Sequence, residues 1–448
     1  MERRRVYIET HGCQMNVADT ERAATRLRAA GYELTERPEE ADVVLLNTCS
    51  VRDKAEQKVY TRVGEVRRLP RRPLVGVMGC VAQLAGEQLF ARAPGVRLVV
   101  GTRATDRLPA LIEQAQRARR AADLGERQEG EVWDVSPVER HSPYVAFVPI
   151  IEGCNKFCSY CIVPFSRGRE RSRPAREILA EVERLAELGY HEVHLLGQNV
   201  NSYRPRTESE RAGLEPFAGA TPFARLLRAV AATGMRRIKF TTSFPRDFHA
   251  DIVAAMDEHE NLCNWVHLPV QAGSDRVLRL MRRGYTRRDY MERVAAIKRA
   301  RRRIALTSDI IVGFPTETRA EFEETVSLVR ECEFDGLYIF KYSERPGTRA
   351  ASMADDVTPE EKRERFLRLA EVQHEIQRRR SRALIGAELE VLVEGTSART
   401  AEHLTGHSTC HRVVNFAGEA HLLGRIVRVR ITAAKEHSLW GEVTAVVA

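Results

Sequence analysis

Cys154, Cys158 and Cys161 fall within eight residues, in the string EGCNKFCSYCIVPFSRGRERSR. Three thiolates this close under-fill a metal centre that wants four ligands. They suit a cubane iron–sulfur cluster, holding three irons and leaving the fourth open to another molecule. An open iron is a reactive position, by the logic that separates open catalytic zinc sites from closed structural ones.

A second trio is spread along the first eighty residues. Cys13, Cys49 and Cys80 each follow a strand candidate: RVYIETHG, ADVVLLNT and PLVGVMG. A strand–helix–strand unit takes about thirty residues or more, so this spacing returns the chain to one sheet edge three times. Open α/β sheets bind ligands at the carboxyl ends of their strands. Three cysteines at that topological point suggest a shared ligand site, although any one of them alone reads as an ordinary buried thiol.

The elements that must position these groups fall into three regions, and the fold class is α/β. Residues 1–125 alternate strands and helices, adding RLVVG at 97–101 as a fourth strand, and predict an open parallel sheet. Residues 121–140, AADLGERQEGEVWDVSPVER, are polar without apolar period and read as a linker. Residues 141–375 offer six strand candidates: YVAFVPII, HEVHLLGQ, RRIKFTTS, NWVHLPVQ, RIALTSDIIVGF and DGLYIFKYS. With helices between them they predict a partial (β/α)6 barrel, short of the eight units of a closed barrel. The first cysteine string follows the first of these strands, at the end where such barrels carry their sites. A charged helix is expected at 358–382, with Phe366, Leu367 and Leu369 facing the barrel. Residues 383–448 hold short alternating segments, ELEVLVEG, HRVVNFAG, GRIVRVRITAA and LWGEVTAVVA, that predict a small β-barrel. There Arg428 and Arg430 share a face opposite Val427, Val429 and Ile431, a basic strand face suited to a nucleic-acid backbone or simply to water.

The chain has 448 residues, 30% of them charged, and a net charge of +9. That balance favours an anionic partner, nucleic acid first. No run of apolar residues reaches membrane-spanning length, and MERRRVYIETHGC has no signal-peptide core. A cytoplasmic location is expected, with no membrane partner. Nine cysteines without a secretion signal point to metal or redox use rather than a disulfide framework.

The CxxxCxxC string in a barrel of this kind resembles the radical S-adenosylmethionine (SAM) superfamily. THGCQMNVADT, NTCSVRDKAEQKVY and GVMGC resemble its methylthiotransferase family, in the wording of the branch that modifies prenylated adenosine in tRNA. HLPVQAGSDRVLRLM, SDIIVGFPTET and YSERPGT also match family signatures, and the C-terminal segments resemble a TRAM domain, an RNA-binding barrel. The resemblance covers essentially the whole chain.

It implies two 4Fe–4S clusters, one on Cys154, Cys158 and Cys161 that chelates SAM, and an auxiliary one on Cys13, Cys49 and Cys80. It implies methylthiolation at carbon 2 of the prenylated adenosine beside the anticodon. Replacing hydrogen on an adenine carbon by sulfur calls for radical activation, which is cofactor chemistry, and the base must leave its stack to be reached. The implied partners are the tRNA anticodon stem-loop, an electron donor such as a flavodoxin-type protein, and a sulfur or cluster supply protein.

No catalytic side chain is assigned beyond the six cysteines. Tyr160 is a candidate for packing near the SAM adenine. Gly197, Gln198, Asn199, Ser243, Gln271 and Asp309, at or near strand ends, are candidates to line the SAM or substrate pocket. Each of these seven fits a structural role equally well. Gly313, Phe314 and Pro315 are expected to shape a turn, His11 to be structural, and Cys263, Cys332 and Cys410 to ligate nothing. Phe244, His407 and Cys410 depart from the family pattern, which puts a pocket detail and RNA contacts from the barrel loop in doubt. Two other readings compete: a sister methylthiotransferase acting on threonylcarbamoyl-adenosine or on a ribosomal-protein aspartate, and a zinc-stabilised RNA-binding protein without catalysis.

Overall fold

The computed structural model describes residues 4–50, 53–126, 139–397 and 400–447. They divide into two compact units. The first comprises Met1–Ser142, Glu152–Asn155 and Cys161–Arg171; the second comprises Pro143–Ile151, Lys156–Tyr160 and Ser172–Ala448.

The first unit is built on six strands: β1 (Arg5–His11), β2 (Glu33–Leu34), β3 (Val43–Thr48), β4 (Leu74–Gly79), β5 (Val96–Val100) and β6 (Ala121–Asp123). All pairings are parallel, in the order β2-β1-β3-β4-β5-β6. β3 and β4 are buried along their whole length, as parallel strands covered on both faces must be. The two-residue period splits their apolar side chains between two cores. Val43 and Leu45 join Val6, Leu27, Leu98 and Ile112 on one face; Val44 and Leu46 join Val59, Val63, Val77 and Val99 on the other. The linker expected at 121–140 begins later than expected, because Ala121–Asp123 adds to the sheet edge beside β5. Positions 127–138 of that stretch lie outside the described residues.

A two-stranded ribbon, β8 (Ile151–Glu152) with β9 (Arg171–Ser172), brackets the cysteine string. In the second unit, six strands run parallel in two groups: β11 (Arg237–Phe240), β10 (Glu192–Leu196) and β7 (Val145–Pro149), then β12 (Trp265–His267), β13 (Ala305–Val312) and β14 (Gly336–Lys341). A bridge between Ile238 and Leu262 joins the groups, giving the partial barrel. Side chains alternate between two faces. Val193, Leu195, Ile238, Val266, Ile310 and Val312 are fully buried on the outer, helix-covered face. The inner face carries Glu192, His194, Arg237 and Lys239 on one group and His267, Asp309 and Tyr338 on the other. β12 is shorter than the sequence suggested, since Pro269 has no N–H to give a ladder.

The helix Pro359–Arg382 is capped by Thr358, whose side chain accepts from the Glu361 N–H. Its buried stripe is Lys362, Arg365, Leu369, Val372 and Ile376, one helical face at spacings of three and four. Leu367, expected to pack inward, is 55% exposed, and Phe366 is only partly covered. Both sit off that stripe.

The last strands close a barrel in the order β15 (Glu388–Ser397), β16 (Thr400–Ser408), β17 (Val413–Ala417), β19 (Leu439–Val446) and β18 (Ile426–Ala434). β16 is a strand the sequence did not betray. Val427, Val429 and Ile431 point inward, and Arg428 and Arg430 outward, with Arg430 3.3 Å from Glu388. This small barrel seals the N-terminal end of the larger one. Arg237 donates to the His407 carbonyl at 2.9 Å, the His411 ring stacks 4.0 Å from that of Trp265, and Arg412 bonds Asp335 at 2.9 Å. No helix among the described residues is long and apolar enough to cross a membrane.

Candidate functional site

The three early cysteines meet at one sheet edge. β1, β3 and β4 are in-register neighbours, with His11 opposite Thr48 and Thr48 opposite Gly79, so Cys13, Cys49 and Cys80 leave the sheet side by side. Cys49 extends the ladder through its N–H to the His11 carbonyl at 2.9 Å. Cys13 caps the helix Gln14–Ala29, and Cys80 opens the helix Cys80–Ala85. Gly12 is required here: a Cβ would lie 2.5 Å from Asn16 Oδ1 and 2.9 Å from Cys49 Cβ. Gly79 has φ +89 and would collide with Asn47. Asn16 and Asn47 bond each other at 3.0 Å and lock the two turns together.

The charge at this edge comes from Arg167, six residues beyond Cys161. It is buried and grips Asp19 through both nitrogens at 3.2 and 2.6 Å. A hydrogen bond from Cys49, then the field of Arg167, hold the Cys13 thiol down to about 6; burial pushes the Cys80 thiol up. Among the described residues, Thr48 Oγ1 and Ser50 Oγ, either side of Cys49, are buried without partners. Soft thiols, a nearby cation and unspent hydroxyls fit a sulfur-rich cluster. The fit rests on donor type and shared edge: among the described residues no three Cys, His, Asp or Glu side chains could hold a single metal ion.

In the later string, the Cys154 N–H donates to the Gly168 carbonyl at 3.1 Å. Gly153, at φ +77, precedes it where a Cβ would strike the Arg169 carbonyl. Cys158 is buried. Ser159 anchors its neighbourhood, donating from its backbone to Met281 O at 3.1 Å and from its hydroxyl to Leu280 O at 2.8 Å. Arg283 completes it, with Nη1 3.4 Å from Cys158 Sγ and 3.3 Å from the Tyr160 hydroxyl.

The remaining sequence candidates sit beyond or within neighbouring barrel strands. Gly197 follows β10, where a side chain would strike Ile151. Asn199 is a turn-former: its Oδ1 accepts the Phe244 N–H at 3.0 Å and its amide donates to Ser202 Oγ at 2.6 Å. Among the described residues, Gln198 Oε1 and Ser243 Oγ are buried without partners, which is unusual for buried polar atoms and fits a polar ligand there. Gln271, at φ +77, bridges to β13 through Asp309 O at 2.9 Å and the Ile311 N–H at 3.0 Å. Asp309 lies on the inner face, 3.4 Å from His267 Nε2. His11 pairs with Glu9 at 2.7 Å. Cys263 and Cys332 are buried in other parts of the fold, and Cys410 lies 3.1 Å from Ser408 Oγ.

Sequence reasoning missed Arg167, Asp19 and Arg283. Arg167 was visible as the first of the two arginines of FSRGRE. Nothing in DRVLRLMRRG distinguishes Arg283 from a solvated arginine.

Three family models match the chain in order: the uncharacterized protein family UPF0004 over residues 5–101, the radical SAM superfamily over 148–329, and the TRAM domain over 382–444. The chain is 46% identical over 447 residues to a tRNA-2-methylthio-N6-dimethylallyladenosine synthase from Solibacter usitatus, covering 98% of both chains. The chain belongs to that family of radical SAM methylthiotransferases. Relatives of the same name from Alkalilimnicola ehrlichii and Moorella thermoacetica are each 45% identical, covering 98% and 97% of this chain and 97% of their own. Membership of the radical SAM superfamily implies SAM and a 4Fe–4S cluster. Among solved structures, the radical SAM methyltransferase TsrM from Kitasatospora setae is similar, with a TM-score of 0.56 and 15% identity over 78% of this chain and 77% of that one. That likeness concerns the fold alone.

Proposed function

We propose that this protein adds a methylthio group to carbon 2 of N6-dimethylallyladenosine beside the anticodon of tRNA. The carrying observation is full-length identity of 46% to a curated synthase of that name, with both cysteine trios in place. Neither sister-branch substrate nor a zinc-stabilised binding protein has such support.

In this reading Cys154, Cys158 and Cys161 hold one 4Fe–4S cluster and Cys13, Cys49 and Cys80 a second, so residues 1–125 carry sulfur and 141–375 carry the radical chemistry. When bound, the reduced cluster and SAM supply a carbon-centred radical able to take hydrogen from an aromatic carbon. The chain's own groups bind and orient. Tyr160 is held by Arg283 beside Cys158. Gln198 and Ser243 offer unspent polar atoms to SAM, and Gly197 lets Ile151 pack directly against the backbone that carries Gln198. Asn199 and Gln271 fix the turns that present them. Arg428 and Arg430, in 383–448, meet the RNA backbone. Reduction requires an electron donor, for which a flavodoxin-type protein is suited, and each turnover consumes sulfur that a supply protein must restore.

Mass spectrometry of tRNA nucleosides from cells lacking the protein tests this. Loss of the 2-methylthio nucleoside with accumulation of its prenylated precursor is expected; an unchanged nucleoside profile would overturn the proposal.

A further inference from the structure

The inner face of β13 and β14 carries two exposed aromatic rings. Tyr338 is 52% exposed and Phe340 40% exposed. On the opposite face of the neighbouring strand, Ile310 and Val312 are fully buried. Much of both rings is thus left at the solvent, on consecutive inward positions of the last barrel strand.

Register sorts this surface into two rungs. Tyr338 stands opposite Asp309, and Phe340 opposite Ile311. The first rung sets an aromatic face beside a carboxylate, with the His267 ring edge-on to Tyr338 at 5.9 Å. The second is apolar. The rungs are about 6.6 Å apart, two residues along a parallel strand. An N6-prenylated adenine presents the same pair of features at comparable separation: a flat ring with an N–H donor at N6, and a branched apolar group attached there. Unstacked bases are held by stacking on aromatic side chains and by hydrogen bonds to their edges.

We propose that Tyr338 and Phe340, with Asp309 and Ile311 across the strand pair, form the subsite that recognises the prenylated base and distinguishes it from unmodified adenosine. This rests on the functional reading above and names the residues that give it its selectivity. β14 is the edge strand of the open barrel, so a base can reach it without the barrel opening.

The test is fluorescence anisotropy with the cluster-loaded full chain and two anticodon stem-loop RNAs that differ only in the prenyl group. Wild type should bind the prenylated RNA more tightly. In the double variant Tyr338→Ala/Phe340→Ala, affinity for the prenylated RNA should fall about tenfold to a hundredfold, to the level of the unmodified RNA, whose own binding should change less than twofold. Tyr338→Phe/Phe340→Tyr, which keeps a ring at each place, should retain the preference. A double alanine variant that keeps the preference, or that loses affinity for both RNAs alike, overturns the subsite. A wild type without any preference overturns the functional reading, and the subsite with it.

Discussion

Arg283 donates to the sulfur of Cys158 at 3.4 Å from a buried position. The same guanidinium bonds Pro269 O at 2.8 Å and the Tyr285 hydroxyl at 2.9 Å, and lies 4.3 Å from the Phe244 ring centre. Phe244, a departure from the family pattern, thus packs a face against a cation. With Cys158 as a cluster ligand, as proposed, a fixed positive charge beside its sulfur favours the more negative, reduced state of that cluster.

Arg283→Met should therefore lower the midpoint potential of that cluster, by a shift on the order of tens of millivolts, while Arg283→Lys keeps most of it. EPR-monitored redox titration reads this directly. Equal potentials in wild type and Arg283→Met would show that the charge is not felt.

The two trios should separate genetically. Cys158→Ala should abolish reductive SAM cleavage, measured as deoxyadenosine. Cys49→Ala should leave SAM cleavage in place and stop methylthio product, with iron per chain falling by about half. Normal product from Cys49→Ala would remove the first trio from the chemistry.

His411 gives the floor of the barrel an acid limit. Burial, then Lys239, His407 and His194, hold its ring down to about 2. The folded form stays neutral while the unfolded form protonates below about 6.5, so stability is complete above that pH and declines as pH falls toward 2. Between pH 7 and 5 the decline from this group is about 2 kcal/mol at most. Denaturant titrations should show it in wild type and show it diminished in His411→Phe, which keeps the stack on Trp265.

Glu321 works at lower pH. Arg276, then backbone and hydroxyl of Thr318, hold its carboxyl down to about 2. Its contribution is present above the unfolded value near 4.5 and lost as pH falls through 2. Discounted for solvent screening, Glu321→Gln should cost about 1–2 kcal/mol at pH 7 and little at pH 2. Equal cost at both would mean shape matters there, not charge.

Much of the molecule was readable before folding. The buried runs VVLLNT and LVGVMG and the positions of Cys13, Cys49 and Cys80 gave the sheet edge, because strand length and crossover length are both constrained. The partial barrel followed from its six apolar strands. β16 escaped because AEHLTGHS mixes polar residues and glycine around a single core leucine, Leu404. Leu367 misled because three apolar residues in FLRL do not share a face at 3.6 residues per turn. Arg283 and Asp19 were not recognisable for a deeper reason: a buried charge is permitted by its partners, and Asp19 meets Arg167 148 residues away while Arg283 meets Cys158 125 residues away.

The contact of Arg237 with the His407 carbonyl has a consequence for modular engineering. The C-terminal barrel closes the N-terminal end of the larger barrel through this contact and the stacking of His411 on Trp265. Exchanging it for that of a relative would import a foreign loop against Glu192, Lys239 and Trp265. Chimeras that alter only the outer strands should keep a watertight base, whereas those spliced at residue 382 must carry a matching 407–412 segment or leak.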